Sequence, residues 1–238
     1  MGFPSLGARP AGAPDVSPFG RRTRGPSRLW HRLGSRVTCV AKPTRWVTET
    51  KQGHSEWYVE RFRAMAAEGR DLGGEARLVD AMLPPGSRVL DAGCGPGRVG
   101  AVLHERGHTV VGVDADPVLI AAAEEDHPGQ RWLTADLAEL DLAAMGESEP
   151  FAGAVLAGNV IVFVAPGTEA EVLRRVAAHV VDDGFVVVGF HTDRELTLPA
   201  FDEAVAQAGL RLEHRFATWD LRAWTGDADF AVNVLRKQ

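Results

Sequence analysis

A glycine-rich turn at the end of a short apolar run is the feature that most constrains this chain. Residues 89–98 are Val-Leu-Asp-Ala-Gly-Cys-Gly-Pro-Gly-Arg. The start of this run predicts a strand, and the residues after the glycines predict a helix. Glycines at such a corner let the backbone approach a ligand closely, and free N–H groups at the start of the helix point at it. The run therefore predicts a strand–turn–helix unit that binds a ligand at its corner.

The spacing of the glycines distinguishes this turn from two common phosphate-binding turns. A dinucleotide fingerprint would need its third glycine at position 98, which is Arg98, and no lysine follows the turn as a P-loop requires. The glycines stand instead at positions 93, 95 and 97, and Asp91 precedes the first of them by two residues. A second acid, Asp114, ends the next predicted strand 21 residues after Gly93. A carboxylate there could accept both ribose hydroxyls of an adenosine lying across the strand ends.

Strands and helices alternate from about residue 50 onward. We predict strands over 88–91, 109–113, 131–134, 154–157, 185–190, 211–219 and 229–235. Helices are predicted over 55–69, 75–83, 99–106, from Pro117 onward, over 168–181 and over 199–208. In the helix 168–181, Thr168 and Glu171 would form a capping box and Val180 would lie on the apolar face.

This alternation predicts the fold class. Strands that alternate with helices indicate an α/β protein with a Rossmann-like, doubly wound and mostly parallel sheet of seven strands. The two last strands have no helix between them, so they predict a C-terminal antiparallel hairpin.

Charge divides the chain into two parts. Residues 1–46 contain nine basic side chains, one acidic one and six of the fourteen prolines, whereas residues 47–238 contain 17 basic and 31 acidic side chains. We predict a disordered basic extension over 1–46 and one folded domain over 47–238. The extension is open to three interpretations: a targeting peptide, a nucleic-acid-binding arm, or a plain unstructured extension, of the kind that translation from upstream of the true start would produce. We favour the last interpretation.

Composition removes several classes of protein. No window approaches 18 uninterrupted apolar residues, so no membrane span is predicted. Two cysteines, Cys39 and Cys94, are too few for a disulfide framework or a cysteine-built zinc site, and they suit the reducing cytoplasm. We predict no metal site. The acidic domain repels polyanions, so a nucleic-acid partner is disfavoured.

The chain resembles the class I S-adenosylmethionine-dependent methyltransferases. The resemblance rests on VLDAGCGPG at 89–97, VVGVD at 110–114 and TADL at 134–137, and it covers roughly residues 88–190. It implies S-adenosylmethionine as cofactor and the family's reversed last hairpin. In that family, Gly93, Gly95 and the turn that Gly97 completes would face the methionine part of the cofactor. Asp91 would help to hold its ammonium group, directly or through water.

The resemblance also assigns the adenosine end of the cofactor. Asp114 would bind the ribose, and Ala115 would lie beside the adenine. Asp136 would reach the adenine amino group, with Leu137 supplying backbone. Residues of these types also have purely structural roles: Asp114 could cap a loop, and Asp136 could be an ordinary helix N-cap.

Residues after the fourth and fifth strands are candidates for the reacting end. Ala157 and Gly158 would offer carbonyl oxygens to the cofactor ammonium. Asn159 could hydrogen-bond the substrate or only its own turn. His191 could be a general base near neutral pH or simply a solvated side chain at a strand end.

Aromatic residues elsewhere could close the site or merely pack. Trp57 and Tyr58 on the first predicted helix could cover it, and the segment 219–224 could shape an acceptor pocket. Residues 158–161 lack the Asn/Asp-Pro-Pro-aromatic run of the enzymes that methylate amino groups of DNA bases.

These patterns favour a cytoplasmic methyltransferase that acts on a small-molecule acceptor by in-line displacement. The alternative is a non-catalytic S-adenosylmethionine-binding module that acts through a partner recruited by the arginine-rich extension.

Overall fold

The structure is a computed structural model that describes residues 42–237. Its strands are β1 (Arg88–Ala92), β2 (Thr109–Asp114), β3 (Arg131–Thr134), β4 (Phe151–Leu156), β5 (Val180–His191), β6 (Leu210–Phe216) and β7 (Phe230–Lys237). Its helices are α1 (Arg45–Glu49), α2 (His54–Ala67), α3 (Gly74–Ala81), α4 (Arg98–Glu105), α5 (Pro117–Asp126), α6 (Val160–Phe163), α7 (Glu169–Ala178) and α8 (Leu198–Gln207). None of the helices within this range is long and apolar enough to cross a bilayer.

The seven strands form one sheet in the order β3-β2-β1-β4-β5-β7-β6. Strands β1 to β5 are parallel, and β7 runs antiparallel to both β5 and β6. The predicted fold class and the C-terminal hairpin are therefore confirmed. The strand order reverses between β1 and β4, and in open α/β sheets ligands bind at the carboxyl ends of the strands beside such a reversal.

Apolar side chains cover both faces of the sheet, as expected for parallel strands with helices on each side. Leu90 and Ala92 of β1 belong to the cluster that packs against α7 and α8. Val89 belongs to the cluster on the opposite face, where it meets Val79 of α3 and Leu103 of α4. Because side chains alternate along a strand, Asp91 shares the face of Val89.

The boundary between α7 and β5 differs from the prediction. Helix α7 ends at Ala178, and Val180 already pairs with Phe151 as part of β5. The predicted capping box is also wrong. The Thr168 hydroxyl donates to the carbonyl of Ala165 (2.6 Å), and Glu171 forms ion pairs with arginines of its own helix. Valines fit a helix face and a strand equally well in sequence, and pairing with β4 decides between them.

The helical part of the chain also begins earlier than the composition indicated. Residues 1–41 of the predicted extension lie outside the described residues, but Arg45 and Trp46 belong to α1, which Thr44 caps. The Arg45 guanidinium donates to the carbonyl of Val162 (3.3 Å) and lies 3.5 Å from Glu169.

Asp91 is buried beneath the glycine turn, and its carboxylate holds the start of α4. Its Oδ2 accepts a hydrogen bond from the N–H of Gly100 (2.9 Å). Burial raises the pKa of Asp91 to about 7, although the Gly100 hydrogen bond and the charge of Arg98 lower it. The folded chain therefore keeps a proton on this carboxyl at a pH where the unfolded chain has lost it.

We predict that the stability of the Asp91→Asn variant, compared with that of the wild type, increases as the pH rises. Between about pH 4, where an unfolded aspartate titrates, and pH 7, unfolding of the wild type releases a proton. Its free energy of unfolding should therefore fall by up to about 1.4 kcal/mol per pH unit relative to the variant. Urea denaturation at several pH values measures this difference. Asp182→Asn, at a side chain that is 95% exposed, is the control. If the free energy of unfolding changes with pH in the same way in the wild type and in Asp91→Asn, the raised pKa of Asp91 is contradicted.

Trp132 supports the same corner of the sheet from below. A Cβ on Gly112 of β2 would lie 2.2 Å from Cε3 of Trp132 and 3.0 Å from Sγ of Cys94. The indole is buried, and its Nε1 donates to the carbonyl of His127 (3.0 Å). The indole therefore has little room to retreat from an added methyl group.

We expect Gly112→Ala to lower the free energy of unfolding by about 1–3 kcal/mol through overpacking. Gly226→Ala is the matched control because no atom lies within 4 Å of its added Cβ, and it should change stability by less than about 0.5 kcal/mol. Guanidinium denaturation of both variants tests this expectation, and equal stabilities would show that Trp132 does not fill this space tightly.

Candidate functional site

A cleft of about 820 Å³, including the space open to solvent at its mouth, lies at the carboxyl ends of β1, β2, β3 and β4. Eight of the ten residues predicted to bind cofactor line the cleft: Gly93, Gly95, Asp114, Ala115, Asp136, Leu137, Ala157 and Gly158.

Neighbouring atoms or backbone conformation favour glycine at two positions of the turn after β1. A Cβ on Gly93 would lie 2.4 Å from the methyl groups of Val160, so only glycine fits there. Gly95 has a φ of +55°, and a Cβ on it would point toward the ring of Tyr58. The N–H groups of Gly93 and Cys94 both donate to the carbonyl of Val113 at the end of β2 (2.7 and 3.0 Å). The turn is therefore fixed to the sheet while its backbone faces the cleft.

Asp114 links this turn to the loop that follows β2. Its Oδ2 accepts from the N–H of Gly95 (2.9 Å), and its Oδ1 accepts from the N–H of Asp116 (2.9 Å). Burial raises the pKa of Asp114 above its usual range, whereas the two backbone N–H groups lower it. Each carboxylate oxygen has a second lone pair, so the side chain can still accept hydrogen bonds from a ligand.

Asp136 caps a short helix at the cleft. It is the N-cap of a short 3₁₀ helix, Leu137–Glu139, and its Oδ1 accepts from the N–H of Ala138 (2.8 Å). It also lines the cleft together with Leu137.

The chain after β4 turns sharply beside the glycine turn. Gly158 and Asn159 have φ values of +72° and +69°, and helix α6 begins at Val160. This turn brings Ala157, Gly158 and Val160 into the lining of the cleft.

Four predicted residues lie outside the lining. Asp91 lies behind the turn, where its carboxylate contacts α4, and Gly97 at the end of the turn is the N-cap of that helix. Asn159 uses its Oδ1 to accept the backbone N–H of His191 (2.8 Å). The His191 ring Nδ1 lies 3.2 Å from the carbonyl of Asp229. The structure therefore joins Asn159 and His191 to each other across the ends of β4 and β5, next to the cleft.

Helices α1 and α2 cover the cleft with aromatic rings. Tyr58 and Phe62 of α2, Trp46 of α1 and Phe163 of α6 all line it. Trp46 meets Tyr58 and Phe163 edge-on, with ring centroids 5.5 and 5.6 Å apart, and Tyr58 meets Phe62 at 4.9 Å. Trp57, in contrast, is 52% exposed and does not line the cleft.

Asp116 holds this cover in place. The indole Nε1 of Trp46 donates to Oδ2 of Asp116 (2.8 Å), and the Ser55 hydroxyl donates to the same oxygen. Burial alone would raise the pKa of Asp116, but these hydrogen bonds keep it below its usual range. The carboxylate is thus the fixed point to which α1 and the start of α2 are attached.

Two other features that the sequence singled out have structural roles. Trp219 packs on the sheet, because a Cβ on Gly189 of β5 would lie 2.2 Å from its ring. Cys94 is a buried free thiol whose pKa burial raises well above its usual value. A thiol in that state is a poor nucleophile.

Sequence reasoning missed Trp46, Phe163 and Arg98 as lining residues. Trp46 stands among basic residues that we assigned to the extension, although Thr44 two positions earlier is a good N-cap. Arg98 is neutralised by Glu75, which its guanidinium contacts at 2.6 and 2.8 Å.

The residues of the cleft fit S-adenosylmethionine. Gly93 and Gly95 contribute backbone to its corner, and two carboxylates stand beside them with oxygen lone pairs still available. The one guanidinium in the described lining is already paired, so the site favours a cationic ligand such as a sulfonium with an ammonium group.

Comparisons with known proteins agree with this fit. Residues 89–184 match the methyltransferase domain family. The crystal structure of a TehB-like S-adenosylmethionine-dependent methyltransferase from Corynebacterium glutamicum has 40% sequence identity and a TM-score of 0.74. The match covers 79% of this chain and 100% of that one.

Two curated relatives match over shorter segments. The ribosomal protein L11 methyltransferase of Symbiobacterium thermophilum is 38% identical over 93 residues, which are 38% of this chain and 30% of the relative. The malonyl-[acyl-carrier protein] O-methyltransferase of Pectobacterium atrosepticum is 35% identical over 77 residues, which are 32% of this chain and 30% of the relative. The matches thus span about 30% of the length of these relatives. By its sheet order, its cleft and its likeness to the full length of the Corynebacterium enzyme, the chain belongs to the class I S-adenosylmethionine-dependent methyltransferases.

Proposed function

We propose that this protein transfers the methyl group of S-adenosylmethionine to a small-molecule acceptor. The observation that carries the proposal is the cleft itself, in which a glycine-rich corner lies beside two carboxylates under an aromatic cover. When bound, S-adenosylmethionine would supply a sulfonium methyl carbon that a nucleophile can attack in line with the sulfur, which would leave as the neutral thioether of S-adenosylhomocysteine.

The chain's residues would divide the work of binding. Asp114 would accept the ribose hydroxyls, and Asp136 and Leu137 would lie at the adenine. The backbone of Gly93 would face the amino-acid part, and the carbonyl of Ala157 would accept from its ammonium. Asp91 would act on the ammonium only through water or through the turn, since it lies behind the lining.

The aromatic cover supports a small acceptor. Trp46, Tyr58 and Phe163 lie over the cleft, and Asp116 and Val162 hold α1 on its two sides. Such a cover excludes water from the reacting atoms, and a protein substrate would have to displace it. The relatives named for protein and acyl-carrier substrates match over too little of their length to carry those acceptors over. We place the reaction in the cytoplasm, which suits the buried free thiol of Cys94.

His191 and Asn159 enter the proposal as groups beside the acceptor. A His191 tautomer with its proton on Nδ1 satisfies the Asp229 carbonyl and leaves Nε2 able to accept a proton. The Oδ1 atom of Asn159 would keep this histidine in place by accepting the backbone N–H of His191. A base is needed only for acceptors that must lose a proton during attack.

We predict that Asp114→Asn weakens binding of both S-adenosylmethionine and S-adenosylhomocysteine by about 10–100-fold. The substitution keeps the size of the side chain but removes the charge that strengthens hydrogen bonds from the ribose. Isothermal titration calorimetry measures both affinities, with Asp182→Asn as the control for loss of a carboxylate elsewhere. If Asp114→Asn binds both ligands with unchanged affinity, Asp114 does not bind the ribose.

We further predict turnover with small nucleophiles. A library of amines, thiols, phenols and carboxylates is incubated with the full chain and S-adenosylmethionine, and release of S-adenosylhomocysteine is followed. With an acceptor that must lose a proton, His191→Gln should lower kcat by at least about 100-fold. Turnover with acyl-carrier protein or ribosomal protein, and with none of the small compounds, would contradict the acceptor class. An unchanged kcat would remove His191 as the base.

A further inference from the structure

Tyr58 spans the cleft between its two glycine corners. Its Cε1 lies 3.7 Å from the position of a Cβ on Gly95, at the end of β1. Its hydroxyl oxygen lies 3.9 Å from the position of a Cβ on Gly158, at the end of β4. The ring thus crosses from one strand end to the other on the cover side of the cleft.

The orientation of this side chain is fixed by other rings. Trp46 and Phe62 meet it edge-on, and His54 lies at a centroid distance of 6.4 Å. Three aromatic neighbours therefore hold the ring, so its hydroxyl has a defined position in the space below the cover.

Other polar side chains of the lining already have partners within residues 42–237. Trp46 donates to Asp116, and Arg98 is paired with Glu75. The carboxylates at the strand ends accept backbone N–H groups, as described above. Thr44 Oγ1 accepts from its own helix, and Cys94 Sγ donates to a neighbouring carbonyl.

The Tyr58 hydroxyl is the exception. In the part of the chain that the structure describes, this hydroxyl lines the cleft and makes no hydrogen bond. Tyr58 is half-buried, and its hydroxyl is not cut off from solvent. The hydroxyl is therefore free to exchange water for a polar group of a molecule that enters the cleft.

We propose that Tyr58 is a substrate-contacting residue whose hydroxyl hydrogen-bonds the acceptor's nucleophilic group at the position of methyl transfer. This inference rests on the proposed function. The strand ends and the glycine turn supply partners for the polar groups of the cofactor, and they lie on the sheet side. Tyr58 comes from the cover, on the other side of the space that the acceptor must enter.

The hydroxyl would position the acceptor through a hydrogen bond and would not act as a general base. Burial raises the pKa of Tyr58 above its usual value; the charge of Arg98 lowers it and that of Asp114 raises it. The phenol therefore keeps its proton at neutral pH. Its oxygen can accept an N–H or O–H from the acceptor and orient the attacking lone pair.

The acceptor need not be identified to test this contact. Sinefungin is a cofactor analogue with an amino group where S-adenosylmethionine has its sulfonium methyl, so it places a hydrogen-bonding group at the transfer position. S-adenosylhomocysteine has no group there. We expect Tyr58→Phe, which keeps the ring and its aromatic contacts, to weaken sinefungin binding about tenfold or more. The affinity for S-adenosylhomocysteine should change less than about twofold.

Trp57→Phe is the control, since Trp57 is the exposed neighbour on the same helix and does not line the cleft. It should leave both affinities as in the wild type. Equal weakening of both ligands by Tyr58→Phe would place the hydroxyl on the part that the two ligands share. No weakening of either ligand would show that it touches neither. Each of these results overturns the inference, whereas failure of wild-type protein to bind S-adenosylhomocysteine would overturn the proposed function itself.

A second readout is specific to this side chain, because Tyr58 is the only tyrosine of the 238 residues. The ultraviolet absorbance of tyrosinate during a pH titration therefore reports Tyr58 alone. A protonated amine against the hydroxyl stabilises the tyrosinate, so the pKa of Tyr58 should be lower in the sinefungin complex than in the S-adenosylhomocysteine complex. A purely structural tyrosine would titrate at the same pH in both complexes, which would contradict the proposal.

Discussion

The hydrogen bonds of the Asp114 carboxylate organise the site. One oxygen accepts from Gly95 in the turn after β1, and the other accepts from Asp116 in the loop after β2. Two loops from neighbouring parallel strands are thus fixed by one half-buried group at the edge of the sheet. Burial raises the pKa of Asp114, and the backbone N–H groups that donate to the carboxylate partly offset this effect by stabilising its charge. A rigid corner of this kind can present bare backbone to a ligand with little reorganisation on binding.

The carboxylate of Asp116, two residues after Asp114, has a different role. Asp116 accepts from Trp46 and Ser55 and so attaches the helical cover to the same loop that carries Asp114. Floor and cover of the cleft therefore meet at residues 114–116. This loop is therefore the physical connection between the floor of the cleft and its aromatic cover.

The periodicity of the chain was sufficient to predict the seven-stranded sheet and its reversed hairpin, because parallel strands covered on both faces appear as short β-branched runs between helices. It was not sufficient at the junction of α7 and β5. Val180 satisfies an apolar helix face as well as a strand, and the pairing partner Phe151 lies 29 positions away in sequence. Composition likewise assigned Arg45 and Trp46 to the basic extension, although they belong to α1 and contact residues far along the chain.

The sequence by itself determined the sheet, the bare corner after β1 and the two acids at the strand ends, since each follows from local spacing and from the geometry that glycine permits. Only the tertiary structure decided which of these groups face the cleft. It turned Asp91 toward α4, joined Asn159 to His191, and left the Tyr58 hydroxyl without a partner among the described residues. The physical reason is that side-chain direction and hydrogen-bond satisfaction depend on neighbours distant in sequence, which no local pattern of residues records.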